Sequence, residues 1–169
     1  GIDVPAARDL IARERPAVVV VGRSLFLFPE PVREIGEVCD EVGTLVIYDG
    51  AHVLGLIAGG CFQDPLREGA HVLNGSTHKT FFGPQRGVVL ARGDDEELRV
   101  AVDRGVFPGA TSNHHLFSLP ALLVATLETE VFGAAYARAV VANAQAFAAS
   151  LARRGLPPQT GCRPGWRRR

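Results

Sequence analysis

The sequence predicts an α/β fold with a mostly parallel sheet and flanking helices. Three short aliphatic runs, at residues 17–21, 44–48 and 70–75, each stop at glycine or polar residues, as buried parallel strands do at the carboxyl edge of a sheet. Segments with apolar residues at three-to-four spacing lie at 4–13 and 31–41, ahead of the first two runs, so helix and strand alternate. Two chemically active residues, Asp49 and Lys79, follow the second and third runs. A carboxylate and an amine are therefore expected to share one crevice at the carboxyl edge.

Taken in order, residues 4–13 form a short amphipathic helix on Val4, Ala7, Leu10 and Ile11, with Asp3 as N-cap and Pro16 helping to end it. Residues 17–21 are the first strand, and Gly22-Arg23-Ser24 opens the loop beyond it. Ser24 is thereby directed to the crevice, the alternative being a loop serine bonded to its own backbone. Pro29 and Pro31 shorten the connection to a helix at 31–41, which turns Ile35, Val38, Cys39 and Val42 to one side and stops at Gly43. With the strand at 44–48 this completes a right-handed crossover unit.

Asp49 and His52 come next; an N-capping aspartate and a satisfied polar histidine are the alternatives to any chemistry. Gly55, Gly59 and Gly60 let a loop lie close to the sheet. The strand at 70–75 leads into Thr77-His78-Lys79-Thr80, and Gly83, Pro84 and Gly87 make a turn before a strand at 88–91. Residues 94–102 are a short charged helix, and 116–132 and 134–153 are two alanine-rich helices broken at Gly133. Beyond Gly155 there is no periodicity, and the three terminal arginines are a small basic tail.

Composition narrows the function classes. At 169 residues and 47% hydrophobic content the chain can bury a real core. Eighteen basic and eighteen acidic residues cancel, so nothing favours nucleic acid or an anionic membrane surface, and the expected partner is a small molecule or another subunit. Cys39, Cys61 and Cys162 have no metal-ligand spacing and imply free thiols in a reducing, cytoplasmic setting. No apolar run is expected to cross a bilayer, and the amino terminus lacks a basic segment followed by an apolar one.

A lysine paired with a carboxylate suits pyridoxal phosphate, which a lysine amine holds as a Schiff base while a carboxylate keeps the pyridine nitrogen protonated. Spacing alone is weak support, because such separations are common. The local words add more. Asp49-Gly-Ala-His52-Val-Leu-Gly-Leu-Ile-Ala-Gly-Gly60, then Thr77-His-Lys-Thr80, then Gly83-Pro-Gln-Arg-Gly87 closely resemble the serine hydroxymethyltransferase family, over residues 17–155. The resemblance implies a fold-type I pyridoxal-phosphate enzyme with Lys79 holding the cofactor, Asp49 at its ring nitrogen, and His52 and Ser24 in contact with it. It gives Thr77 and His78 a part in holding phosphate or steering protons. Val106-Phe-Pro-Gly109 resembles the family's F-P-G segment and adds Gly109 to the cofactor-binding set.

The activity implied is cleavage or formation of the Cα–Cβ bond of a β-hydroxy amino acid by retro-aldol chemistry on serine and glycine. The partners implied are a small amino-acid substrate, tetrahydrofolate as a second cofactor, and further subunits in a homodimer or tetramer. The sequence departs from the family pattern in two places. The arginine of the G-P-R-G-G word is shifted by one, which leaves Arg86 without an implied role, and Thr111-Ser-Asn-His114 replaces Q-G-G-P. The second change points to a threonine aldolase or transaldolase as the alternative. Residues 1–155 are expected to be a partial cofactor-binding large domain and 156–169 an irregular tail, with the small domain missing. A truncated, catalytically silent domain is therefore the third reading.

Overall fold

Asp3 accepts a hydrogen bond from the Ala6 N–H at 3.1 Å and starts helix α1, Val4–Glu14, as its capping side chain predicts. The computed structural model describes residues 1–93, 95–113 and 115–156. Asp94, His114 and the expected tail with Cys162 and the terminal arginines lie outside the described residues. Strand β1, Val18–Gly22, follows, and helix α2, Val32–Val42, ends at Gly43, whose φ of 75° permits the left-handed stop. Strand β2, Leu45–Asp49, lies parallel to β1 in a register that sets Gly22 opposite Asp49.

Two short helices occupy the stretch expected to be loop: α3, Leu54–Ala58, and α4, Pro65–Glu68, the latter begun by Asp64 and Pro65. Both are too short for a 3.6-residue period to show. Strand β3, Val72–His78, is parallel to β2, and β4, Phe82–Ala91, is antiparallel to β3, giving the order β1-β2-β3-β4. The expected turn at Gly83, Pro84 and Gly87 is therefore wrong, since all three lie inside β4. β4 pairs only with β3 within this sheet, and an edge strand accepts proline because one side of its backbone has no ladder to complete. The reversal falls instead at Lys79-Thr80-Phe81.

Helix α5, Glu96–Arg104, is capped by Asp95, which accepts from the Leu98 N–H at 2.8 Å. It runs into a wide turn, Gly105–Ala110. Helix α6, Leu119–Arg153, is one helix of 35 residues where two were expected. Gly133 does not break it, because this glycine is buried at a helix crossing. A Cβ placed on Gly59, the C-cap of α3, would fall 2.4 Å from the Ala137 Cβ and 2.5 Å from the Gly133 carbonyl oxygen. Gly133 is thus a contact residue, and bareness at both glycines lets the backbones meet. The continuous segment Leu116–Arg153 is also long and apolar enough, by length and composition, to cross a membrane, contrary to expectation. Most of that helix is exposed in the structure, and its buried residues, Ala125, Gly133 and Ala137, belong to a helix that touches α3 and β4.

The core gathers Val21, Ile35, Val38, Cys39, Val46, Tyr48 and Leu73, with α2 packed on β2 and α1 on α2. Burial and the neighbouring Asp40 carboxylate raise the pKa of the Cys39 thiol, so this thiol is an inert packing group. Gly59→Ala is expected to destabilise the chain by about 1–3 kcal/mol in urea unfolding. Gly105→Ala, with nothing within 4 Å of the added carbon, should stay within about 0.5 kcal/mol of the parent.

Candidate active site

Asp49 ends β2 at the carboxyl edge, and one of its oxygens accepts the Ala51 N–H at 3.0 Å. That bond turns the chain sharply, helped by Gly50 N–H donating to the Asn74 carbonyl and Val53 N–H to the Gly50 carbonyl, both at 2.9 Å. The turn presents His52, whose Nε2 lies 3.0 Å from Nζ of Lys79 on the β3–β4 reversal. One proton bridges this contact: either the ammonium donates to a neutral imidazole or Nε2–H donates to a neutral amine. The two groups cannot both be cations and keep the bond.

Thr80 holds the two loops together. Its hydroxyl donates to the His52 carbonyl at 2.9 Å and accepts the Gly55 N–H at 3.1 Å. The approach is possible because residue 55 is glycine, since a Cβ there would lie 2.0 Å from the Thr80 carbonyl oxygen. Across the sheet, a Cβ on Gly22 would lie 2.3 Å from the Asp49 carbonyl oxygen, and φ at Gly22 is 137°, a conformation side chains rarely adopt. Bare backbone thus surrounds the carboxylate and the lysine.

The other predicted residues fall as follows. Ser24 is exposed and shares a cavity of about 280 Å³ with Leu25, Phe26, Leu27, His52 and Val53. Thr77 is 2% exposed, its hydroxyl 2.6 Å from the Pro84 carbonyl and 3.0 Å from that of Arg86. It therefore fastens the irregular end of the β3–β4 ladder. His78 is exposed and its Nδ1 lies 3.3 Å from the Arg86 carbonyl, a contact made by Nδ1–H donating, which leaves Nε2 for another group. Gly109 is exposed in the wide turn after α5, the Arg104 carbonyl being the nearest obstacle to a Cβ, and no hydrogen bond joins it to Lys79 among the described residues. Arg86 donates through Nε to the Ser118 hydroxyl, and its buried Nη2 has no partner among the described residues.

A buried polar cluster beneath the site was not foreseen. Glu30, 5% exposed, pairs through both carboxylate oxygens with the Arg23 guanidinium. The Gln63 side chain accepts the Glu30 N–H at 2.8 Å and donates to the Glu30 carbonyl at 3.1 Å and to Glu68 at 2.7 Å. Tyr48, the residue before Asp49, donates to the same Gln63 oxygen at 3.0 Å. Burial, then the Glu30 and Glu68 carboxylates, raise the Tyr48 pKa, so it stays a neutral donor. No periodicity or motif marks Glu30 or Gln63 in the sequence.

An exposed amine, a carboxylate with one oxygen free of the turn bond, and an imidazole, all on a bare-backbone edge, fit pyridoxal phosphate. Comparison with known proteins agrees: the family model for serine hydroxymethyltransferase matches residues 1–161. The chain belongs to the serine hydroxymethyltransferase family. The serine hydroxymethyltransferase of Archaeoglobus fulgidus is 54% identical over 151 residues, which is 89% of this chain and 34% of that protein. That of Methanopyrus kandleri is 55% identical over 156 residues, 92% of this chain and 36% of that one. A crystal structure of L-threonine transaldolase from Pseudomonas fluorescens, in its internal aldimine state, superposes with a TM-score of 0.83 and 36% identity, over 90% of this chain and 34% of that one.

The chain thus spans roughly a third of the curated relatives it matches. Serine hydroxymethyltransferases resemble it more than the transaldolase does, by 54–55% against 36% identity. Within this serine hydroxymethyltransferase-family edge, Thr80→Val keeps the shape and removes both bonds between the loops. It should cost about 1–3 kcal/mol in chemical denaturation, with Thr80→Ser losing less than half of that.

Proposed function

We propose that this chain carries the lysine-bearing part of a pyridoxal-phosphate enzyme that moves a one-carbon unit between serine and glycine. The observation that carries the proposal is the 3.0 Å contact of Lys79 with His52 beside Asp49 at one sheet edge. When bound, the cofactor supplies an electron sink for the breaking Cα–Cβ bond of a β-hydroxy amino acid. The chain's own residues do the rest. Lys79 offers the amine that holds the cofactor, and His52 Nε2 is placed to take the proton that an ammonium must lose before nitrogen can react.

The oxygen of Asp49 left by its turn bond can hold a proton at the ring nitrogen, and its opposite charge keeps that proton in place. Ser24 and His78 add a hydroxyl and a free imidazole nitrogen at the rim. Thr77 and Thr80 hold the reversal that carries Lys79, and Gly109 belongs to the reading only through the resemblance of its F-P-G segment. The rest of the proposal concerns the whole protein: serine and glycine as substrates, tetrahydrofolate as carrier of the one-carbon unit, and a cytoplasmic homodimer or tetramer. Residues 1–155 are then part of the cofactor-binding domain. The names of the relatives support this, and the exposed Leu123, Leu127 and Val131 of α6 support association with further protein. Threonine transaldolase chemistry is the second reading, with which the superposed crystal structure is compatible.

Titration with pyridoxal phosphate tests the site directly. A visible absorbance band that survives desalting is expected for the parent and is expected to vanish in Lys79→Ala. Asp49→Asn should weaken cofactor retention by about tenfold, the loss of roughly one favourable charge contact. A folded parent that gains no band would refute cofactor binding by this chain. In the full-length protein, serine cleavage that requires tetrahydrofolate supports the first reading, and folate-independent threonine cleavage supports the second.

A further inference from the structure

The connection from β1 to α2, residues 23–31, has no helix or strand of its own, yet it forms the wall of the cavity that Ser24 shares with His52. Side chains must therefore set its course. We infer that Gln63 and Glu30 are positioning residues for this site: together they brace the loop against β2 and so fix Ser24 and the wall facing His52. The inference deepens the proposed function and rests on it for its binding arm.

Three contacts carry it. The Arg23–Glu30 pair joins the first residue of the loop to its eighth, closing it at the base. The Gln63 amide then satisfies both backbone groups of Glu30, so its two bonds fix one peptide position rather than a mobile side-chain end. The Tyr48 hydroxyl, donating to the same Gln63 oxygen, ties this base to the residue before Asp49. Phe26 completes the brace, with its ring stacked on Tyr48 at 6.0 Å and edge-on to Phe62 at 5.5 Å between centroids.

Burial makes the arrangement selective. Glu30 keeps only 2% of its side chain exposed while Arg23 keeps 42%, so Glu30 is held in the core by its cation and by the Gln63 bonds to its backbone, and a displaced loop would break those bonds. Gln63 is 4% exposed and has no alternative partners in solvent. The loop thus has one well-satisfied position, while its tip, Leu25 and Leu27, stays exposed. None of the bracing groups touches Lys79, and their effect on the site passes through the loop.

Hydrogen–deuterium exchange and pyridoxal-phosphate titration of the whole chain test this, with Gln63→Leu as the main variant. Exchange over residues 23–31 should rise about tenfold while that over 72–78 is unchanged, and the half-saturating cofactor concentration should rise about tenfold. An equal rise in both segments would show that Gln63 serves the whole core and would overturn the inference. A looser loop with unchanged half-saturation, or no change in either, overturns it as well. Where Gln63→Leu does not fold, Glu30→Gln keeps the backbone bonds and removes only the ion pair; a rise of about threefold confined to 23–31 is then expected. A parent that binds no cofactor refutes the proposed function, and exchange over 23–31 against 72–78 then decides the brace by itself.

Discussion

The carboxyl edge depends on one hydroxyl group between two loops. Thr80 donates to the backbone of residue 52 and accepts from that of residue 55, so the turn after β2 and the reversal after β3 cannot move independently. Parallel strands deliver their last residues to the same edge, but delivery alone leaves the following loops free. The Thr80 bonds convert neighbouring loops into a fixed pair, and the His52–Lys79 contact forms inside that frame. Glycines at 22 and 55 are the other half of the constraint, because the backbones come closer than any Cβ would allow.

The strands and first helices were legible in the sequence because their signals are local. Asp3 and Gly43 announce the ends of helices through their own chemistry, and the apolar run at 44–48 has no other stable use than a buried strand. The positions of Asp49, His52 and Lys79 after strand ends were legible for the same reason, while their roles toward a cofactor rest on the resemblance of their words. The cofactor partners of Ser24, Thr77, His78 and Gly109 rest on resemblance. Of these, Thr77 is turned into the hairpin, where a buried hydroxyl has to satisfy carbonyls left by the irregular ladder.

What the sequence hid depends on tertiary contact. Gly133 looks like a helix break until Gly59 is set against it, and Pro84 looks like a turn until β4 is seen to be an edge strand. Glu30 lies between two prolines in a loop where exposure is the ordinary expectation, and only the fold supplies the Arg23 and Gln63 partners that make its burial possible. Polar networks of this kind join residues far apart in the chain, so no spacing rule reveals them.

Helix α6 has a mechanical character that its packing determines. Its 35 residues extend about 50 Å at 1.5 Å per residue, yet no residue after Ala137 is buried among the described residues. At the crossing of Gly59 and Gly133 only the small Ala137 side chain and bare backbone stand at the point of closest approach. Roughly 30 Å of helix extends beyond this crossing. Over this length a tilt of about 5° at the crossing would carry Arg153 through about 2–3 Å, so a small rearrangement beside the sheet would become a displacement large enough to be felt by whatever the far arm meets.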